Sequence, residues 1–409
     1  MEEKYIELLL KRCTELKYNK ILFIHYSIEI REFVKKVAKK AKELGAQEIY
    51  LDEEDPYDVH EFLKKNTIEE IRNSVYFDES IWDTYAAKHA NFLILETEYP
   101  HLMDDIEPEK IALASKKRRE SRPLYRRLVE TCELSWCIAA YPGQAWAKEI
   151  FKNDPNSYET LKQVIYKMCM VDQENPILSW DNYLTKTKKI INYLNHLSLT
   201  KLHYSNNLGT DLDLYLPKNY LFSSAEDREV IVNMPSYEVF TSPIYHKTEG
   251  IVYSSKPLIY NGGFIDQFWL KFHHGKVIDF DAKVGKEILQ EIIKSDSNSC
   301  YLGECAFVEK NSPIASLNMV FGTTLIDENA SCHLALGAGF PECIQNGLKF
   351  NEEQLLECGV NVSKSHVDFM IGTSDLNILG TTESGEIIPI FTNGEFDSKL
   401  LDNFEKEVE

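Results

Sequence analysis

The sequence predicts two kinds of domain in one chain: an α/β N-terminal domain with a largely parallel sheet over residues 1–200, and an α+β, strand-rich C-terminal domain over 201–409. Three observations carry that expectation. Short apolar runs alternate with amphipathic helical stretches through the first 150 residues, the pattern of β-α-β units. From Leu202 onward Gly, Thr, Asn and alternating apolar residues dominate, the mark of half-buried strands. A chain of 409 residues also exceeds what one hydrophobic core usually supports.

In order along the chain, Met1 to Lys17 carries Ile6, Leu9, Leu10, Cys13 and Leu16 on one helical face. The run Ile21-Leu22-Phe23-Ile24-His25 reads as the first strand. A helix over Ile30–Leu44 stops at Gly45, the residue type that tolerates the left-handed conformation past a helix end. Glu48-Ile49-Tyr50-Leu51, Ala90–Glu96 and Ser135–Ala140 supply further strands, apolar enough to be covered on both faces. Such sheets often bind nucleotides, yet His25-Tyr26-Ser27-Ile28-Glu29 has no glycine and no Walker-type loop occurs. A scaffold or a substrate gate is therefore the preferred role for this half. Helices follow over Tyr158–Met170 and Trp180–His196, and the domain boundary is placed within 195–205. Beyond it, Thr210–Leu216 is a period-two strand, Gly262-Gly263 and His274-Gly275 read as hairpin turns, and Gly285–Lys294 is a helix. The segment Glu328–Leu336 is read as a second helical interruption.

A net charge of -20 argues against nucleic acid, whose phosphates are bound mainly by Lys and Arg. The local run Lys116-Lys117-Arg118-Arg119, with Arg122, Arg126 and Arg127, is read as a solvated helix face. No apolar run reaches the roughly 18 residues of a membrane span. Met1-Glu2-Glu3-Lys4 lacks the pattern of a secretory signal, so the expected location is cytoplasmic. Nine cysteines without a Cys-x-x-Cys pair read as reduced, mostly buried thiols.

The chemistry concentrates in the second half. Asp327-Glu328-Asn329-Ala330-Ser331-Cys332-His333, running on to Phe340, sets carboxylates and an imidazole in small-residue sequence. Glu238 stands in a proline-bounded apolar segment, Glu249 at the mouth of a strand, and Glu304 inside Gly303–Val308. Such groups bind divalent metal readily. In His366-Val367-Asp368 the two polar residues are two apart and share one face of a strand. Glu328 and His333 are five apart, and on a helix they diverge by about 140°, which is wrong for chelating one ion. Gly337-Ala338-Gly339 is too short to cradle a phosphate and suggests a close backbone approach. His273-His274 reads as a surface turn. Adjacency of Ser331, Cys332 and His333 is no argument for a hydrolase nucleophile, since nucleophile and base must meet across the fold.

Taken together, Glu238-Val239-Phe240-Thr241, Glu249-Gly250, Gly303-Glu304 followed by Ser312-Pro313-Ile314-Ala315, Asp327 to His333, and His366 to Gly372 resemble the thermophilic metalloprotease family, of the aminopeptidase T and aminopeptidase S type. Ser121-Arg122, Trp136-Cys137-Ile138, Tyr141-Pro142 and Ala145-Trp146-Ala147 extend the resemblance over nearly the whole chain. It implies a leucine-type, broad-specificity aminopeptidase acting on peptides with a free N-terminus. It also implies two divalent ions (Zn, Co or Mg) in a catalytic C-terminal domain, and a homodimer. The metal ligands carried over are Glu238, Glu304, His333, His366 and Asp368, with Glu328 from the same motif and Glu304 as the natural bridge. Glu249 is the carboxylate left to shuttle a proton, unless Glu238 exchanges roles with it. One position departs: Phe340 stands where the family has a tyrosine. Loss of a hydroxyl aimed at the oxyanion costs on the order of 2.7 to 4 kcal/mol, so the alternative is a catalytically weakened or silent homologue that binds metal or peptide.

Overall fold

The computed structural model describes residues 1–227, 230–260 and 263–398. The chain forms two compact units, one of residues 1–180 with 226–235, the other of residues 181–225 with the chain from 236 onward. Among the described residues no helix is long and apolar enough to cross a membrane.

In the first unit, β1 (Ile21–Ser27), β2 (Glu48–Glu54), β3 (Asn91–Glu96) and β4 (Trp136–Ala140) form a parallel sheet in the order β4-β3-β1-β2. Asn233–Met234 adds a parallel edge beside β4, a return of the chain that no local pattern announces. The strands run parallel because helices connect them. The helix Arg31–Glu43 between β1 and β2 buries Phe33, Val34, Val37 and Ala41, the spacing of one helical face. It stops before Gly45, whose φ of +90° suits glycine. The N-terminal helix is shorter than the periodicity suggests: it covers Glu2–Leu8 and gives way to a wider π turn over Leu9–Cys13.

The basic run lies on the helices Pro108–Ser121 and Pro123–Glu130. Lys116, Arg119, Arg126 and Arg127 face solvent as expected. Arg118 and Arg122 do not, because the carboxylates of Glu54 and Glu79 draw them inward.

The second unit is built from antiparallel sheets. In the larger one, strands Gly263–His273 and Lys276–Val284 meet at His274-Gly275, both with positive φ, as a tight hairpin turn requires. A Cβ on Gly275 would lie 1.9 Å from the Tyr245 carbonyl oxygen. Of the other expected turn, Gly263 opens the strand and Gly262 lies outside the described residues. Lys286–Lys294 is helical, as its pattern indicates.

The smaller sheet carries β5 (Val239–Thr241), β6 (Leu302–Phe307), β7 (His333–Gly337) and β8 (His366–Met370), in the order β8-β7-β6-β5, with Ser223–Ser224 at the β5 edge. Alternation along these strands sorts residues to two faces. Cys305, Phe307, Leu334, Leu336, Val367 and Phe369 enter the main hydrophobic core of the unit. On the other face stand Glu304, Ala306, His333, Ala335, His366 and Asp368, as the register shows by pairing Ala306 with His333 and Ala335 with both Glu304 and Asp368. Alanines in the middle of this face leave the room that the larger polar groups converge over.

Candidate metal centre

Five side chains proposed from sequence meet above that face. Ligand-capable atoms of Glu238, Glu304 and His333 lie within 4.8 Å of one another, and so do those of Glu304, His366 and Asp368. Glu304 belongs to both groups. Glu238, Glu304, His333 and Asp368 are buried, and His366 is half-buried. Neighbouring strands do the gathering, so Glu238 and His333, 95 positions apart in sequence, come within 3.3 Å of each other.

Each imidazole is oriented by the backbone. His333 Nδ1 lies 3.2 Å from the Ser331 carbonyl oxygen and Nε2 lies 3.3 Å from Glu238 Oε2. His366 Nδ1 lies 2.7 Å from the Ala338 carbonyl oxygen, and Nε2 lies 3.1 Å from Glu304 Oε2 and 3.2 Å from Asp368 Oδ1. An Nδ1–H spent on a carbonyl leaves the Nε2 lone pair, on the side of the carboxylates, free to hold a metal ion, the usual support of a metal-binding histidine. The close backbone approach expected at Gly337 is present: a Cβ there would lie 2.1 Å from the Ser365 carbonyl oxygen.

The electrostatics are those of a set built for a cation. Burial pushes the Glu304 carboxyl up to about 7, with the Asp368 charge adding to it and His366 opposing. Burial, then the charges of Glu238 and Asp368, lift Glu328 well above the usual range. His333 is driven up to about 10, because its hydrogen bond to Glu238 and the nearby carboxylates outweigh burial. Asp368 falls to about 2, since His366 outweighs its burial. Four carboxylates thus converge with two imidazoles, and Asp368 Oδ1 is left without a well-directed hydrogen bond. Surplus buried negative charge with an orphaned acceptor is what divalent metal would satisfy, so the residues fit such an ion.

Glu328 is nearer this centre than helical geometry allows for. Asp327 closes a short helix, Thr324–Asp327; Glu328 opens a single 3₁₀ turn, and the chain is fully extended by Ser331. His333 therefore begins β7 instead of continuing a helix, and the 140° divergence does not arise. Glu328 and Asp368 both line a cleft of about 40 Å³ that also borders Leu258 and Met370. Asp327, by contrast, accepts N–H bonds from Phe321 and Gly322 at 2.7 Å each and holds the turn.

Glu249 lies elsewhere. It accepts the backbone N–H of His274 at 2.8 Å, and its other oxygen lies 2.9 Å from His273 Nδ1. These three residues form an exposed group that shares no member with the buried cluster. Phe340 does border the centre: its ring centroid is 5.0 Å from that of His366 and 5.1 Å from that of Phe240.

Two supporting residues escaped the sequence reading. Asn329 Oδ1 accepts the Tyr237 N–H at 2.6 Å and lies 3.2 Å from Ser236 Oγ, which lies 3.1 Å from Glu238 Oε1. They tie the Glu238 segment to the Glu328 turn. The only available signal was their adjacency to the two glutamates.

A model of the family described as thermophilic metalloprotease (M29) matches residues 1–396. Aminopeptidase 2 of Geobacillus stearothermophilus is 34% identical over 407 residues, covering 97% of this chain and 98% of its own length. Aminopeptidase AmpS of Bacillus subtilis is 32% identical over 399 residues, covering 96% and 97%. The solved structure of wild-type AmpT from Thermus thermophilus superimposes with a TM-score of 0.88 at 26% identity, covering 97% of this chain and 98% of that one.

Proposed function

The chain belongs to the thermophilic metalloprotease (M29) family and is a metallo-aminopeptidase hydrolase, and from that premise we propose that it releases single N-terminal residues, leucine among them, from peptides with a free N-terminus. The observation that carries this reading is the pair of ligand groups sharing Glu304. Glu238, Glu304 and His333 would hold one divalent ion, and Glu304, His366 and Asp368 a second. When bound, such ions supply a water acidic enough to ionise near neutrality and a Lewis acid for the peptide carbonyl.

The protein's own residues do the rest. Ala338 and Ser331 carbonyls orient the imidazoles, and the apolar wall of Phe240, Ala306, Phe340 and Cys343 keeps bulk water from that side. Hydrolysis also needs a group that takes a proton from water and delivers it to the leaving amine. Glu328 supports that role better than Glu249, because it stands in the field of Glu238, Glu304 and Asp368, whereas Glu249 is engaged with His273 and His274. The nine free cysteines, seven of them buried, suit a reducing cytoplasm, and the assembly proposed is a homodimer.

Leucyl-p-nitroanilide hydrolysis tests the reading after chelation and return of Co²⁺, Zn²⁺ or Mg²⁺, with bound metal counted in parallel. Recovery of activity with two ions per chain is expected. One ion per chain at full activity removes the shared-ligand assignment; two ions with no turnover for any metal makes the chain a silent metal-binding homologue. Light scattering at micromolar concentration checks the dimer, and a monomer overturns it.

A further inference from the structure

A cavity of about 330 Å³ lies in the first unit and shares no residue with the metal centre. It opens at the carboxyl ends of β1 and β3, with His25 and Ser27 contributed by one and Glu96 and Thr97 by the other. β1 has β2 on one side and β3 on the other, so the chain order reverses there. In open parallel sheets this crevice is where ligands bind, and the volume falls within the range of small-molecule sites.

The charges around it do not cancel. Arg118 pairs with Glu54 at 2.5 Å and with Glu79 at 3.0 Å, and Arg122 pairs with Glu79 at 3.0 Å. His25 is held by Asp52 at 2.8 Å. Two guanidinium groups are thus matched by two carboxylates, and Glu96 is left over. Among the described residues no side chain donates a hydrogen bond to its carboxylate, and burial, with the nearby Glu98 charge and against the weaker pull of His25, pushes it up to about 7. Three further lining residues carry buried polar atoms without a hydrogen bond: Glu79 Oε2, which the Arg122 ion pair approaches, the Thr97 hydroxyl and Arg122 Nε. The Arg122 guanidinium stacks over the faces of Trp82 and Tyr125, 4.3 Å and 5.6 Å from the ring centroids.

The cavity therefore offers an unmatched carboxylate for a cation, a guanidinium N–H and a hydroxyl for an acceptor, and aromatic and aliphatic surface from Trp82, Tyr125 and Ile138. From this arrangement we infer that the first unit binds a free α-amino acid, its ammonium on Glu96, its carboxylate toward Arg122 and Thr97, and an apolar side chain along the aromatic wall. An ammonium on the half-buried Glu96 carboxylate and a carboxylate on a guanidinium are charge-assisted bonds, and each satisfies a group otherwise left unpaired. A simple cation would leave Arg122 Nε and Thr97 unused, and a simple anion would meet Glu96.

Isothermal titration of the full-length, metal-loaded protein with L-leucine tests this. Leucine is expected to bind at one site at least tenfold more tightly than 4-methylpentanoate, which lacks the ammonium, or leucinol, which lacks the carboxylate. Glu96→Gln and Thr97→Val should each weaken it at least tenfold with unchanged circular dichroism. Glu304→Gln, which disables the metal centre, should leave it intact, so failure here and failure of the peptidase reading are distinguishable. No leucine binding in Glu304→Gln, equal affinity for all three compounds, or full affinity in Glu96→Gln overturns the assignment.

Discussion

The metal centre and the cavity of the first unit use the same kinds of side chain, yet differ in how the charges are matched. Above the small sheet, the four carboxylates of Glu238, Glu304, Glu328 and Asp368 face two imidazoles. In the cavity of the first unit, Arg118 and Arg122 are each answered by a carboxylate and Glu96 remains. A large buried excess of one sign calls for an ion of high charge, whereas a single unmatched group beside orphaned donors calls for an organic ligand with both signs. Charge balance, more than residue type, separates the two sites.

Five substitutions test that contrast. Glu304→Gln carries the largest effect, because it removes an acceptor from both ligand groups at once. Loss of at least about 10³-fold in kcat is expected, comparable to deleting a preorganised electrostatic group, together with loss of bound metal by elemental analysis. Retention of both ions would break the idea that one carboxylate serves two of them.

Next in size is the comparison of Glu328→Gln with Glu249→Gln. A proton carrier contributes about 10² to 10⁴-fold, so Glu328→Gln should lose activity on that scale while keeping its metal. Glu249→Gln should stay within about threefold of the parent, since surface changes away from special features have small effects. The reverse result restores Glu249 to the mechanism.

Phe340→Tyr places a phenol beside His366. A rise of about tenfold in kcat is expected, a part of what an oxyanion donor can supply. An unchanged rate would show that another donor serves the oxyanion.

The smallest effect belongs to the first unit. Glu96 is raised to about 7 from 4.5, so the folded state favours its proton. Its stability contribution is present below the unfolded pKa and is lost as the pH rises through about 7. Glu96→Gln should therefore match the parent in thermal melts at pH 4.5 and exceed it at pH 8 by about 1 kcal/mol, after discounting for partial exposure. Equal melting at both values would show that the carboxylate already has a partner.

Much of the fold was legible locally. The apolar runs of β1, β3 and β4 and the amphipathic helix Arg31–Glu43 declare themselves because burial on both faces, or on one, imposes a period on the chain. His366 and Asp368 were readable as neighbours for the same reason. Other features needed partners distant in sequence. Residues 328–336 were read as a helical interruption, yet extension from Ser331 onward is set by the pairing of His333–Gly337 with strands on both sides. Arg118 and Arg122 looked like part of a solvated face, and only Glu54 and Glu79 show why they turn inward.

The amino-acid sequence by itself determined the two kinds of domain, the alternation that turns one strand face to the core, and the inventory of carboxylates and imidazoles available to a metal. The tertiary structure alone decided how the two ligand groups close around Glu304, that Glu249 stands apart from them, and that a cavity with one unmatched carboxylate opens above β1 and β3. The physical reason is range. Periodicity and turn chemistry act over a few residues, whereas charge compensation and burial depend on which distant segments the fold brings within a few ångströms of each other.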